Sequence, residues 1–149
     1  MNFKAIFCSL ISLICFSIVL LLPNSVLAAE LVSHAPLDAQ AYIVEPANDT
    51  TVSETFTVKF GLSGMELAPA GIDKADTGHH HLLIDQTELP DLTASLPATE
   101  QIRHFGKAQT ETKLTLEPGK HTLQLVLGNY LHIPHDNPVI SDAITIEVQ

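Results

Sequence analysis

The chain has 149 residues and a formal net charge of −10, from seven Lys and Arg against 17 Asp and Glu. This acidic balance, without a basic cluster, argues against nucleic acid and anionic lipid as partners. The length suits a single domain, because about 120 residues bury roughly two-thirds of the surface that the unfolded chain exposes.

The first 28 residues indicate a secretory signal. Lys4 precedes an apolar stretch at 5–22, and a break at Pro23 leads to the small residues of a cleavage site at 26–28. An uncleaved membrane anchor is the alternative, since an 18-residue apolar run is at the lower limit for spanning a bilayer. Because the break and the small residues follow the apolar run at once, we expect removal of 1–28. The mature protein is then expected to be periplasmic or secreted, with no other contact with the membrane.

The two cysteines, Cys8 and Cys15, both lie in this predicted signal peptide, whereas all eight histidines follow it. The mature chain then has no thiol, which excludes disulfides, zinc–thiolate sites and a cysteine nucleophile. Eight histidines are a high share for so small a domain.

A linker is expected at 29–39, and a single domain at 40–149 in which strands alternate with turns. The clearest strand carries Phe56, Val58 and Phe60 on one face. Long irregular connections are expected at 64–78, 86–100 and 128–142, and no segment has a sustained helical period. Strands are predicted at 41–45, 54–62, 79–85, 110–116, 121–127 and 143–148. This pattern predicts an all-β, immunoglobulin-like antiparallel β-sandwich of about seven strands.

Three consecutive histidines, 79–81, open the third predicted strand. In the usual sandwich order this strand is an antiparallel neighbour of 121–127, so the loop that follows 127 lies over the triplet. This topology gathers one set of side chains at one end of the sandwich: Met65, His79, His80, His81, His104, His132 and His135.

Alternation divides the triplet between the two faces of the strand. His80 shares the core face, where we expect it to donate to a backbone carbonyl or to support a ligand. His79 and His81 share the other face with Cα atoms roughly 6.5–7 Å apart, a workable span for two ligands of one metal ion. The predicted metal ligands are His79, His81, His132 and His135.

Other residues near this end have two interpretations each. Met65 is an apolar plug or a thioether ligand of copper(I). His104 is a further ligand or the cap of a turn. Asp85 and Asp136 hold the adjacent imidazoles in one tautomer, or are simply solvated.

Distinctive stretches, above all GHHHLLID and HIPHD, resemble a bacterial exported domain-of-unknown-function family, number 4399, over roughly 41–149. The resemblance is carried by 65–71, 78–85, 104–106, 109–110, 118–125 and 132–136. It implies a small secreted or periplasmic single domain and brings no established activity. One departure is Lys107, where the family leads us to expect glycine; its positive charge counts against His104 as a ligand.

These residues favour a periplasmic metal carrier or buffer. Copper is favoured, because copper(II) binds most tightly at nitrogen sites, and zinc is second. Binding is expected to weaken as the pH falls through about 6.5. The alternative is a non-catalytic immunoglobulin-like module that docks to an envelope protein, with structural or pH-sensing histidines. An enzyme is not expected, because the sequence has no G-x-S-x-G, no H-E-x-x-H and no telling pair of carboxylates.

Overall fold

Nine strands form two sheets within residues 31–149, which are the residues that the computed structural model describes. In chain order they are β1 Gln40–Glu45, β2 Thr50–Val52, β3 Thr55–Ser63, β4 Glu66–Leu67, β5 Thr77–Ile84, β6 Ile102–His104, β7 Glu111–Thr115, β8 Gly119–Gly128 and β9 Ile144–Val148. None of these residues belongs to a helix long and apolar enough to cross a membrane. The predicted signal peptide and its cleavage site lie outside the described residues.

The first sheet has the order β1-β3-β7, and the second has the order β2-β9-β8-β5-β4, with β6 also paired to β5. All pairs are antiparallel except β2 with β9 and β4 with β5. The predicted all-β, immunoglobulin-like sandwich is therefore confirmed, and each of the six predicted strands is present. The three further strands, β2, β4 and β6, have only two or three residues each, too few to give a periodic signal.

The main core lies between the two sheets, where alternation turns one face of each strand inward. Val58 and Phe60 are buried from β3, and Leu114 is buried from β7. The second sheet contributes Leu82 and Ile84 from β5 and three leucines from β8. Full burial of one such side chain contributes about 1.5–3 kcal/mol, so this layer stabilises the pairing of the sheets.

A second, smaller core covers the outer face of β5 and β8. Leu83 and Val126 pack there against Leu96 and Ile102, which belong to the connection between β5 and β7. Both faces of β5 are therefore covered, and all eight of its residues are buried. Because the histidine triplet lies within this strand, its rings lie inside the protein on either face.

The segment expected to be a linker has no strand where it is described, but it packs onto the domain. Ala35 is fully buried in the main core. The Asn129 side chain donates to Leu31 O at 2.9 Å, and Asp136 N donates to Ser33 O at 3.1 Å. Residues 31–36 therefore fasten the loop that follows β8, and we call them the N-terminal clasp.

Candidate metal centre

The sheet register brings three histidines together on the outer face of β5. His79 and His81 lie two residues apart on this face, and His81 pairs directly with His104 of β6. On the other side of β5, His79 pairs with Gly128 of β8, which has no side chain to fill the space beside it. Alternation along β5 and the β5–β6 pairing thus place three imidazoles side by side.

A fourth imidazole comes from the loop after β8. His132 has a left-handed backbone, with φ of 68°, and its amide donates to Asn129 O at 2.8 Å. The Asn129 side chain accepts hydrogen bonds from Leu131 N and Ile133 N on either side of it. This compact turn brings the His132 ring to 4.5 Å from the His104 ring and 5.0 Å from the His79 ring, measured between ring centres.

The four rings contact one another in every pairing. The ring-centre distances are 4.9 Å for His79–His81, 4.9 Å for His79–His104, 5.0 Å for His79–His132, 5.2 Å for His81–His104, 5.9 Å for His81–His132 and 4.5 Å for His104–His132. In addition, one nitrogen from each of His79, His81 and His104 lies within 4.8 Å of the other two. This group of three could hold a metal ion, and we call the four rings together the imidazole cluster.

Two glycines make room for the rings. A Cβ atom on Gly128 would lie 2.7 Å from Cε1 of His81, and one on Gly106 would collide with the imidazole of His104. Any other residue at either position would therefore displace a ring of the imidazole cluster.

The ring nitrogens of this cluster are largely without partners. His79 and His81 are fully buried, and neither nitrogen of either ring has a hydrogen-bond partner. Nε2 of His104 is also buried and unpaired. Buried polar atoms without partners are uncommon in folded proteins and cost about 1–3 kcal/mol each, so an arrangement of five such nitrogens calls for an explanation. A metal ion would satisfy one nitrogen of each ring.

The environment keeps these imidazoles neutral. Burial, together with the neighbouring imidazoles, lowers the pKa of His79 to about 4. The same causes lower the pKa of His81 to about 3. The nearby Val126 backbone opposes that shift, although neither nitrogen of His81 has a hydrogen-bond partner. Burial and His132 also lower the pKa of His104. Neutral imidazoles are the form that binds metal, so protons compete at lower pH than the value near 6.5 that the sequence led us to expect.

His135, which we predicted as a ligand, is not in the group of three. The backbone bridge between Pro134 and Gly128 holds it beside the start of β5, where its ring nitrogen Nε2 donates to Thr77 O at 3.2 Å. Its side chain is buried, and its Nδ1 has no partner. His104 stands in the group instead, although Lys107 follows it closely in sequence; Lys107 is exposed.

His80 points into the main core, as predicted, with its ring centre 5.4 Å from that of Phe60. The expected hydrogen bond to a backbone carbonyl is wrong, because neither ring nitrogen has a partner. Burial lowers its pKa to about 4. His80 is therefore a packed, neutral side chain on the opposite face from the imidazole cluster.

The remaining predicted residues serve other parts of the fold. Met65 is partly buried and packs against the main core. Asp85 accepts a hydrogen bond from Nδ1 of His121 at 2.7 Å, at the far end of β5, and Asp136 accepts one from Nδ1 of His34 at 2.9 Å. Both aspartates do orient an imidazole, but neither orients one of the four in the cluster.

A β-sandwich with a buried group of imidazoles that could hold a metal ion is the class of protein that this fold and site define. The family model for a domain of unknown function, DUF4399, matches residues 58–149, so the chain belongs to that family. The family resemblance seen in the sequence is therefore confirmed. The matched region contains the whole imidazole cluster.

Two solved structures show a similarity to this chain. One is the endo-beta-1,4-mannanase from Thermotoga petrophila, with 13% identity, a TM-score of 0.43, and coverage of 75% of this chain but only 20% of the mannanase. The other comprises fibronectin(III)-like modules of Clostridium thermocellum CbhA, with 10% identity, a TM-score of 0.39, and coverage of 73% of this chain and 93% of the module chain. No curated protein matches the chain.

Proposed function

We propose that this protein is an exported, non-catalytic metal-binding domain, a carrier or buffer in the periplasm or outside the cell. His79, His81 and His104 supply the ligands. The observation that carries the proposal is the convergence of their nitrogens within 4.8 Å, in a place where five ring nitrogens are buried without partners. The secretory signal read from residues 1–28 supports the location.

The chemistry of the ligands narrows the choice of ion. Calcium and magnesium prefer oxygen ligands, whereas this group offers only neutral imidazole nitrogens. Imidazole suits copper and zinc. Intrinsic affinity at nitrogen favours copper(II), and zinc(II) is the second candidate.

Storage or delivery fits the group better than catalysis. Hydrolysis at a metal uses a nearby acid or base to move protons. The pKa values of His79, His81 and His104 are shifted by burial and by other imidazoles, and no carboxylate contributes to any of the three. A bound ion would therefore be held without a carboxylate beside it to move protons.

The alternative, an interaction module with pH-sensing histidines, has less support. A histidine senses physiological pH when its pKa lies between about 5 and 8. Burial lowers the pKa values of His79, His80 and His81 to about 4, 4 and 3, which is below that window. The triplet therefore stays neutral where such a switch would operate.

The test is a titration of the purified, metal-free protein with copper(II), copper(I) and zinc(II), following stoichiometry and melting temperature. We expect one ion per chain and a higher melting temperature, because a ligand present at 100 times its Kd stabilises the folded state by about 2.7 kcal/mol. The His104→Ala variant should lose most of this effect, because it removes one of the three ligands. It should still fold, since His104 is only partly buried and its removal leaves the cores intact. His121→Ala, at the far end of β8, is the matched control. If none of the three ions raises the melting temperature, the proposal is wrong.

A further inference from the structure

We propose that His132 completes a closed, four-imidazole, tetrahedral site, and that this geometry suits zinc(II) rather than copper(II). The inference rests on the proposed function and names the ion and the fourth ligand. His132 is not one of the three residues whose nitrogens converge within 4.8 Å, but its ring centre lies 4.5–5.9 Å from the other three ring centres.

The ring centres cannot lie in one plane. Their longest separation is 5.9 Å and their shortest is 4.5 Å, a ratio of about 1.3. Four ligands in a square plane, the geometry of copper(II) or nickel(II), give a ratio of about 1.4, because the diagonal of a square exceeds its side by that factor; no other planar set gives a smaller ratio. The four rings are therefore arranged as the corners of a tetrahedron.

The size of this tetrahedron matches a metal site. Zinc–nitrogen bonds are about 2.0–2.1 Å and an imidazole nitrogen lies a little over 1 Å from its ring centre, so ring centres at tetrahedral corners lie about 5.2 Å apart. The six observed distances average about 5.1 Å. In a square plane the same bonds give about 4.5 Å for neighbours and about 6.4 Å for both diagonals. No pair of rings in the cluster is that far apart.

Contacts on three sides fix the loop that carries His132. Its carbonyl accepts a hydrogen bond from Leu96 N at 2.9 Å, which ties it to the segment after β5. Asn129, itself buried, closes the turn and also reaches Leu31 in the N-terminal clasp. The backbone that carries the fourth ring is thus held in place by the fold, which limits how far this residue can shift to accommodate an ion with square-planar geometry.

A closed set of four protein ligands has a chemical consequence. Catalytic zinc sites keep one position open for water or substrate, whereas four protein ligands fill a tetrahedral ion completely. Zinc(II) accepts this geometry without an electronic cost, whereas copper(II) prefers a tetragonal one. The cluster is therefore suited to retaining zinc rather than to activating water on it.

The deciding experiment measures ligand number, with X-ray absorption on the zinc-loaded full chain and the visible spectrum of the cobalt(II) form. We expect four nitrogen ligands at about 2.0–2.1 Å and a tetrahedral cobalt spectrum. The His132→Asn variant should leave three nitrogens and one water oxygen. Asparagine is chosen because it tolerates the left-handed backbone at this position, where φ is 68°.

Zinc affinity provides a second readout. Loss of a partner that only orients a ligand lowers affinity by about 10–100-fold, so loss of a direct ligand in His132→Asn should cost at least about tenfold. His135→Asn removes a neighbouring buried histidine outside the four rings and should leave the ligand number at four. Circular dichroism of each variant establishes that it has folded.

The outcomes separate the two proposals. Binding of no metal at all would remove the proposed function, and this inference with it. Zinc binding with three nitrogens in both the natural protein and His132→Asn would overturn the fourth ligand and leave the proposed function standing. If electron paramagnetic resonance of the copper(II) form showed a tetragonal ion with four equatorial nitrogens, the tetrahedral site would be overturned.

Discussion

His81 and His104 face each other across the pairing of β5 and β6, with ring centres 5.2 Å apart and ring planes inclined by only 28°. The two residues are far apart in the sequence, and the strand that carries His104 has only three residues. Their contact exists because β6 pairs with the buried β5, so the candidate metal centre depends on the sheet as a whole.

Gly128→Ala should disturb the imidazole cluster without straining the backbone. The added Cβ would lie 2.7 Å from Cε1 of His81 and 3.2 Å from the His132 backbone, so one of them has to move. We expect a lower melting temperature and weaker zinc binding by calorimetry. Gly71→Ala is the control: its φ is +83° and nothing lies within 4 Å, so strain should lower stability while metal affinity stays the same. Equal affinities for Gly128→Ala and the natural protein would contradict the close packing of Gly128 against His81 and His132.

Asn129→Ala should loosen the loop that carries His132. The side chain is buried and makes three hydrogen bonds, to Leu31 O, Leu131 N and Ile133 N. Its loss leaves partly buried backbone groups without these partners, which costs about 0.5–1.5 kcal/mol per hydrogen bond in the free energy of unfolding. Denaturant unfolding measures this cost, and hydrogen exchange of the loop amides should increase. Unchanged exchange at Leu131 and Ile133 would show that the side chain does not hold the turn.

The metal-free protein should lose stability in mild acid. Histidines whose folded pKa is lowered are protonated first in the unfolded state, so stability is complete above about pH 6.5 and falls as the pH decreases toward the folded values. Burial lowers the pKa of His80 to about 4, so its share is lost between about pH 6.5 and 4. His34 and His121, whose pKa values are raised, act in the opposite direction but are much more exposed.

The His80→Leu variant isolates this contribution, because His80 lies in the main core and outside the imidazole cluster. Its free energy of unfolding should depend less on pH, by up to about 1.4 kcal/mol per pH unit within that window. Denaturant titrations of the metal-free proteins at pH 7, 6, 5 and 4 give both slopes. Parallel pH profiles for the variant and the natural protein would contradict the lowered pKa of His80.

Asp85→Asn should alter the far end of β5 only. Burial lowers the pKa of His121, but hydrogen bonds to the Asp85 carboxylate and to Glu117 O outweigh it and leave the pKa raised. Without the carboxylate, that pKa should fall, which an NMR titration of the imidazole signals would detect. Asparagine suits the left-handed backbone of residue 85, where φ is 54°. Metal affinity should not change, and a marked loss would mean that Asp85 acts on the cluster after all.

The sequence was most informative where side chains alternate. The inward face of β3 and the division of the histidine triplet between two faces of β5 both follow from period-two patterns, and the structure confirms them. His104 was harder to place, because three residues of β6 carry no usable pattern. His132 and His135 were both predicted as ligands, but only His132 lies in the imidazole cluster. Their separation depends on the turn at Asn129 and the bridge to Pro134, which no local pattern in HIPHD specifies.

The four rings of the cluster come from β5, β6 and the loop after β8, and His79 and His132 are 53 positions apart in the chain. An unfolded chain keeps the triplet 79–81 together but holds His104 and His132 away from it, so it cannot present all four rings to one ion. A tightly bound ion would therefore require that β5 has already paired with both β6 and β8, and it would in turn oppose the separation of those strands. Metal occupancy and folding would then rise and fall together, and a chain that has not yet folded would bind the ion only weakly.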